Sequence, residues 1–287
     1  MPTLRCVPIG KFLLLGILTA FSTAAVLASS PVAAQLITMS KECRESVATG
    51  DAMNAAGNYQ EALNLFTSIV DECDTKDGSE AVQVGLAMAH NGLGQYAEAI
   101  AAADLALEVS KQDSLGALHE KAVALEAQGD LQGARDQYLA IIGLTENNVD
   151  TAARANNYAK VANLEYRIGN RQTASEYLDK AIELDPDNPA YNVQRSDWAT
   201  NEGDVARANA ELDAAAAKGG SSAELYAMRF ESNMKSLQEK YGTDNVQALR
   251  SSMTAAETES ICRDARGAID NGLADMQIDM FIALVCK

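Results

Sequence analysis

Histidine is nearly absent from this chain: His90 and His119 are the only two among 287 residues. Neither stands beside a Ser or Cys in a nucleophile motif, so imidazole-driven catalysis has little to work with. There is no C-x-x-C, and both histidines lie far from any Cys in sequence, which removes the usual zinc spacings. No Gly-rich phosphate loop occurs; Gly92-Leu93-Gly94 reads as a turn between helical runs. Aromatic residues make up only 5% of the chain, which disfavours a sugar-stacking surface. Basic residues are scarce as well. Lys and Arg number 23 against 40 Asp and Glu, a net charge of −17. Arg5 and Lys11 are the only charges before Gln35, so without that segment the balance is 21 basic to 40 acidic residues, or −19. Such a surface repels phosphate backbones and anionic lipid, so no nucleic-acid partner is expected. Proline appears 5 times and no β-branched run alternates cleanly, which argues against sheet. Abundant Ala, Leu, Glu and Gln favour an all-α fold.

What the sequence does contain is one helical hairpin written several times. From Gly169 to Pro189 the chain has a start and a stop. Gly169 and Asn170 break the preceding run, Ala155 to Ile168. Ala174, Leu178, Ala181 and Ile182 then recur at helical spacing, and Pro186 and Pro189 forbid continuation. The same phrase recurs elsewhere. Gly57-Asn58-Tyr59 leads to Ala62, Phe66 and Ile69; Gly94-Gln95-Tyr96 leads to Ala99, Ala103 and Ala106. Gly129-Asp130-Leu131 leads to Ala134, Tyr138 and Ile141; Gly203-Asp204-Val205 leads to Ala208, Leu212 and Ala215. The five turn glycines are 37, 35, 40 and 34 residues apart. An earlier small position follows them as Gly50, Ala87, Ala122, Ala162 and Ser196. Small side chains let helices approach closely, and a lone hairpin cannot bury its apolar face without neighbours.

The turn Gly, the Tyr or apolar residue two later, the Ala three after that and the closing Ala106-Leu107 and Ala181-Ile182 pairs resemble the tetratricopeptide repeat, whose period is about 34 residues. The resemblance runs roughly from Cys43 to Lys218. It implies a helical-hairpin solenoid, a tetratricopeptide-like superhelix whose first helices line a concave face that holds a protein or peptide segment. It also implies a non-catalytic protein with no cofactor and no metal. Residues 35–218 are expected to form about five repeats. The break Lys218-Gly219-Gly220-Ser221-Ser222 ends them, and 222–287 is expected to form a C-terminal helical cap. There a helix capped by Ser222 should run to Tyr241, followed by helices from about Asn245 to Ile269, with a break near Thr254, and from Leu273 to Cys286. The apolar run Met276–Val285 should pack back onto the last repeat.

Residues 1–34 read as a signal peptide. Arg5 and Lys11 precede an apolar run from Phe12 to Ala28, and Val32-Ala33-Ala34 offers a cleavage site before Gln35. The alternative is an uncleaved anchor, since Phe12–Ala28 is just long enough to span a bilayer as a helix. Cleavage would make the protein periplasmic or secreted, with no stable membrane insertion. It would also leave four cysteines. Cys43 opens the first hairpin and Cys73 closes it, while Cys262 and Cys286 flank the Asn271-Gly272 turn. Antiparallel hairpins bring such ends side by side, so Cys43–Cys73 and Cys262–Cys286 disulfides are expected, each contributing about 3 kcal/mol.

Repeat four carries the most pointed set of candidate binding residues. Asn156, Asn163, Tyr166 and Arg167 recur at helical spacing, Lys160 adjoins them, and Arg154 lies near the helix start. Asn offers both donor and acceptor to an extended peptide, and Arg grips a carboxylate at two points. This loosely resembles the Asn-plus-base clamp of some tetratricopeptide domains. The clamp is incomplete, because repeat three offers Gly116, His119, Val123 and Glu126 instead of bases. Trp198 reads as inter-repeat packing. A glycan-binding subunit is the alternative function. A third is an enzyme with a site at Asp264, Asp270, Asp275 and Asp279, which a solvated helix face explains better.

Overall fold

The described residues of the computed structural model, 39–220 and 222–286, form fourteen α-helices and no strand. The expected signal peptide, 1–34, lies outside them. The helices pair into hairpins: α1 (Lys41–Ala55) with α2 (Tyr59–Ile69), α3 (Lys76–Gly92) with α4 (Tyr96–Ser110), and α5 (Leu115–Ala127) with α6 (Leu131–Leu144). Then come α7 (Thr151–Ile168) with α8 (Arg171–Leu184) and α9 (Ala190–Asn201) with α10 (Val205–Ala217). Each hairpin turns at one of the five glycines. Gly169 has φ 104°, the left-handed region that side-chain-bearing residues avoid, and the other four also have positive φ. None of the five is crowded by backbone or core, so backbone conformation, not space, selects glycine at these turns.

Close packing selects glycine elsewhere. The Phe66 ring of α2 is fully buried, its tip lodged against Gly50 of α1 and Gly85 of α3. Gly92, expected to lie in a turn, is instead the last residue of α3 and receives the Tyr59 ring. Tyr59 and Tyr96 are half-buried, while Ala62, Ala99, Ala134, Ala174 and Ala208 are fully buried at the hairpin crossings. The α1, α3 and α5 helices lie next to one another, whereas α2, α4 and α6 each pack between successive first helices. In the first three hairpins the first helices therefore share one side of the row, its inner face.

Polar contacts repeat along the row. An acidic residue ten positions past the turn glycine pairs with a base on the next first helix: Asp104 with Lys121 at 2.6 Å, Asp179 with Arg195 at 2.6 Å, and Asp213 with Arg229. Buried Asn54 donates to the Gly85 carbonyl at 2.9 Å, and Gln194 donates to that of Ala159 at 3.1 Å. Such bonds satisfy groups that helix stacking would otherwise strand.

The helix starts correct several expectations. Thr75 caps α3 by accepting from the Gly78 amide at 3.1 Å, so the expected loop at 74–78 is already helical from Lys76. In the C-terminal part, α11 (Ser222–Tyr241) packs on α10, and Ser222 is its first helical residue, not its cap. The break near Thr254 is real. It separates α12 (Val246–Ser252) from α13 (Ala255–Asp270), with Thr254 and Glu257 forming a capping box. Lys240 and Thr254 hold the Glu257 carboxyl down to about 2. The last helix, α14 (Met276–Val285), starts after Asp275 and packs on α12 and α13 instead of on the last repeat. Phe230, Leu249, Ile261, Ile278 and Phe281 form the core of this part.

Cys43 and Cys73 stand at disulfide distance, their Cα atoms 5.6 Å apart, as do Cys262 and Cys286 at 5.5 Å. The four C-terminal acids do not share one solvated face. Asp270 and Asp279 are exposed, and Asp275 caps α14. Asp264 is fully buried between α11 and α13, accepting from Asn233 at 3.0 Å, and burial pushes its carboxyl up despite nearby Arg229 and Arg263.

Candidate functional site

On the inner face, α5, α7 and α9 enclose a depression of about 490 Å³. Asn156, Lys160 and Asn163 of α7 line one wall, Tyr191 and Gln194 of α9 the other, and Glu126 of α5 the end. The α7 helix is set in place by Asp150, whose side chain accepts from the Ala153 amide at 3.0 Å. Ala155, Ala162 and Leu164 on its flanks and Val161 and Glu165 on its back are buried. The polar face is thereby left to the groove.

Asn156 is exposed, and its Oδ1 lies 3.1 Å from the Tyr191 hydroxyl. Burial and Asp185 push that hydroxyl up to about 12, so it stays protonated and donates at neutral pH. The same hydroxyl lies 3.4 Å from an Asp185 carboxylate oxygen, so its one proton serves two acceptors. The basic residues differ in availability. Arg167 pairs with Glu126 across to α5, and Arg154 donates to the Glu146 carbonyl. Lys160 is exposed and takes part in no ion pair among the described residues.

Tyr166 stands apart from this set. At about 100° per residue, Asn163 and Arg167 fall within about 20° of Asn156, while Tyr166 falls about 80° round the helix. Its ring turns toward the next hairpin and stacks on Trp198, centroids 4.7 Å apart and planes 3° from parallel, with its hydroxyl on the Trp198 carbonyl at 3.2 Å. Trp198 is buried, as inter-repeat packing requires. Gln194, not singled out from sequence, stands nine residues before Gly203 as Lys160 stands nine before Gly169. Aligning neighbouring hairpins on their turn glycines would have revealed it.

A second depression, of about 400 Å³, lies toward the other end of the same face. Asp51 of α1 and Asp77 and Glu80 of α3 line it. The two histidines have local partners: His90 Nδ1 lies 2.7 Å from Gln95, and His119 meets the Tyr138 ring edge-on. Among the described residues no group of His, Cys, Asp and Glu is arranged to hold a metal ion, and no helix is long and apolar enough to cross a membrane.

This row of stacked helical hairpins is the architecture of a tetratricopeptide repeat. Models of that repeat match the chain at residues 53–121 and 155–188. The chain therefore carries tetratricopeptide repeats over these two stretches. Its fold is similar to that of Pseudomonas aeruginosa PilF, at TM-score 0.58 and 14% identity over 84% of this chain and 97% of that one. It is also similar to a tetratricopeptide repeat protein from Parabacteroides merdae, at TM-score 0.56 and 13% identity over 86% of this chain and 100% of that one. The C-terminal part of a repeat-containing protein from Cytophaga hutchinsonii aligns at TM-score 0.55 and 15% identity, over 82% and 99% of the two chains. At these identities the likeness concerns the fold alone. No curated protein matches the chain in sequence.

Proposed function

We propose that this protein is a non-catalytic scaffold that holds a protein or peptide segment along its inner face, with repeat four as the main grip. The observation that carries this reading is the unpaired Lys160 between two amides, Asn156 and Asn163, in a groove open to solvent. An extended backbone needs donors and acceptors in turn, and amides supply both. Lys160 adds one cation without a local partner to neutralise it. The acids at the other end of the face, Asp51, Asp77 and Glu80, favour a bound segment whose acidic end lies at repeat four and whose basic end lies at repeats one and two.

The site of action in this reading is the cell envelope, periplasm or exterior. It rests on the signal-like residues 1–34 and on two cysteine pairs placed to form disulfides, which persist in oxidising compartments. Replacing Lys160 and Asn163 together with Ala tests the grip. Both side chains lie off the core, so circular dichroism should be unchanged. Capture of the partner by the full chain should weaken by about 1–3 kcal/mol, roughly 5- to 150-fold. An unchanged dissociation constant would remove this groove from consideration.

A further inference from the structure

The hairpins do not all pack alike. The second helix of each earlier hairpin lies along the first helix of the next, α2 on α3, α4 on α5 and α6 on α7, but the α8 backbone stands farther from α9, the two joined by long side chains such as Asp179 and Arg195. The sequence also differs at this junction. Six residues past the turn glycine stand Leu63, Ile100 and Arg135, and in α8 the same position is Ser175. A cleft of about 750 Å³ opens between α8 and α9, on the other side of α7 from the groove residues.

Its chemistry is unlike the rest of an acidic chain. Arg171, Arg195 and Arg207 line it, opposed by Asp179 and Glu202, with the stacked Tyr166 and Trp198 rings forming one wall. Arg195 is committed to the recurring bridge with Asp179. The other two arginines come from different helices and close on one carboxylate. Arg171 and Arg207 both hold Glu202, Arg207 at 2.6 Å, and the Arg171 guanidinium also lies 5.2 Å over the Tyr166 ring. Two donors in the wall, Trp198 Nε1 and Arg195 Nε, have no acceptor among the described residues.

We infer that this cleft is a second binding site, which takes a carboxylate-bearing protein segment, with Glu202 occupying the carboxylate position when the site is empty. A Glu or Asp of the segment would enter between Arg171 and Arg207 while Glu202 swings to solvent. The exchange keeps two ion pairs and strands no charge, so little desolvation opposes it. The arginine fork matches a carboxylate, and the ring stack gives the segment's methylenes an apolar wall.

Trp198 is the only tryptophan in the chain, so its fluorescence reports on the cleft directly. The full chain, at low salt, is titrated with acetylated pentaglutamate amide, and with pentalysine and inorganic phosphate as comparisons. The expected result is a saturable emission change with the acidic peptide alone. Arg171→Gln should weaken it about tenfold, and Glu202→Gln should tighten it by removing the internal competitor. Arg171 is largely exposed, so its variant should keep its circular dichroism. Lys160→Ala, in the inner groove, should leave the response intact, which separates this site from the proposed grip. No saturable change, an equal response to phosphate or pentalysine, or a Glu202→Gln variant that binds no tighter would each overturn the inference.

Discussion

Adding one methyl group to Gly85 should destabilise the protein, although alanine is the better helix former. Gly85 lies within α3, where exchange to Ala ordinarily gains about 1 kcal/mol. Here the new Cβ would press into the tip of the Phe66 ring, well inside van der Waals contact. The ring has nowhere to go. Phe66 is fully buried, and a Cβ built at Gly50 would come within 2.5 Å of the same ring tip. Overpacking of this kind costs about 1–3 kcal/mol. Set against the propensity gain, Gly85→Ala should lose up to about 2 kcal/mol. Gly143 is the control. It also lies in a helix, but a Cβ there meets nothing within 4 Å, so Gly143→Ala should gain about 0.5–1 kcal/mol. Urea denaturation followed by circular dichroism reads both signs from the shift in midpoint. Phe66→Leu should reduce the Gly85→Ala penalty in a double-mutant cycle, since the atoms nearest the new Cβ all belong to that ring. If Gly85→Ala stabilises the chain as Gly143→Ala does, the packing argument for the first two hairpins is wrong.

The paired cysteines should matter at both ends. Cys43 and Cys73 are 30 residues apart and Cys262 and Cys286 are 24, so each bond should contribute about 3–4 kcal/mol, lost on adding reductant. Peptide mapping without reductant checks the connectivity, and free thiols at all four positions would refute it. The acid at Asp264 should oppose folding at neutral pH. Its carboxyl is raised in the folded state above the ordinary 3.8, so the penalty is absent below that value and grows as pH rises toward the folded one. Asp264→Asn should therefore stabilise the protein at pH 7, with a gain that fades on acidification. A gain independent of pH would show that the charge is not the cause.

The repeat was legible because its determinants are local. A left-handed turn glycine, an alanine at the crossing and a helical apolar stripe can each be read within a dozen residues, and five copies fix the architecture. What could not be read depends on contacts between copies. Gly85 and Gly92 look like ordinary small residues until the Phe66 and Tyr59 rings arrive from a neighbouring helix. Ser175 looks like any polar surface residue until the cleft between α8 and α9 puts it in the lining. Asp264 shares a spacing with exposed acids, yet the packing of α11 on α13 buries it. Tyr166 belongs to the same helix as the groove residues, and a rotation of about 80° sends it to a different site.

Position-specific photo-crosslinking in intact cells bears most directly on the idea that the inner face holds a protein segment. A photoreactive residue at Asn163 points into the groove, and one at Ala140, exposed on α6, does not. Adducts of one discrete mass from position 163, absent from position 140 and lost when Lys160 is replaced by Ala, are the expected result. Equal labelling from both positions, or none from position 163, would contradict it.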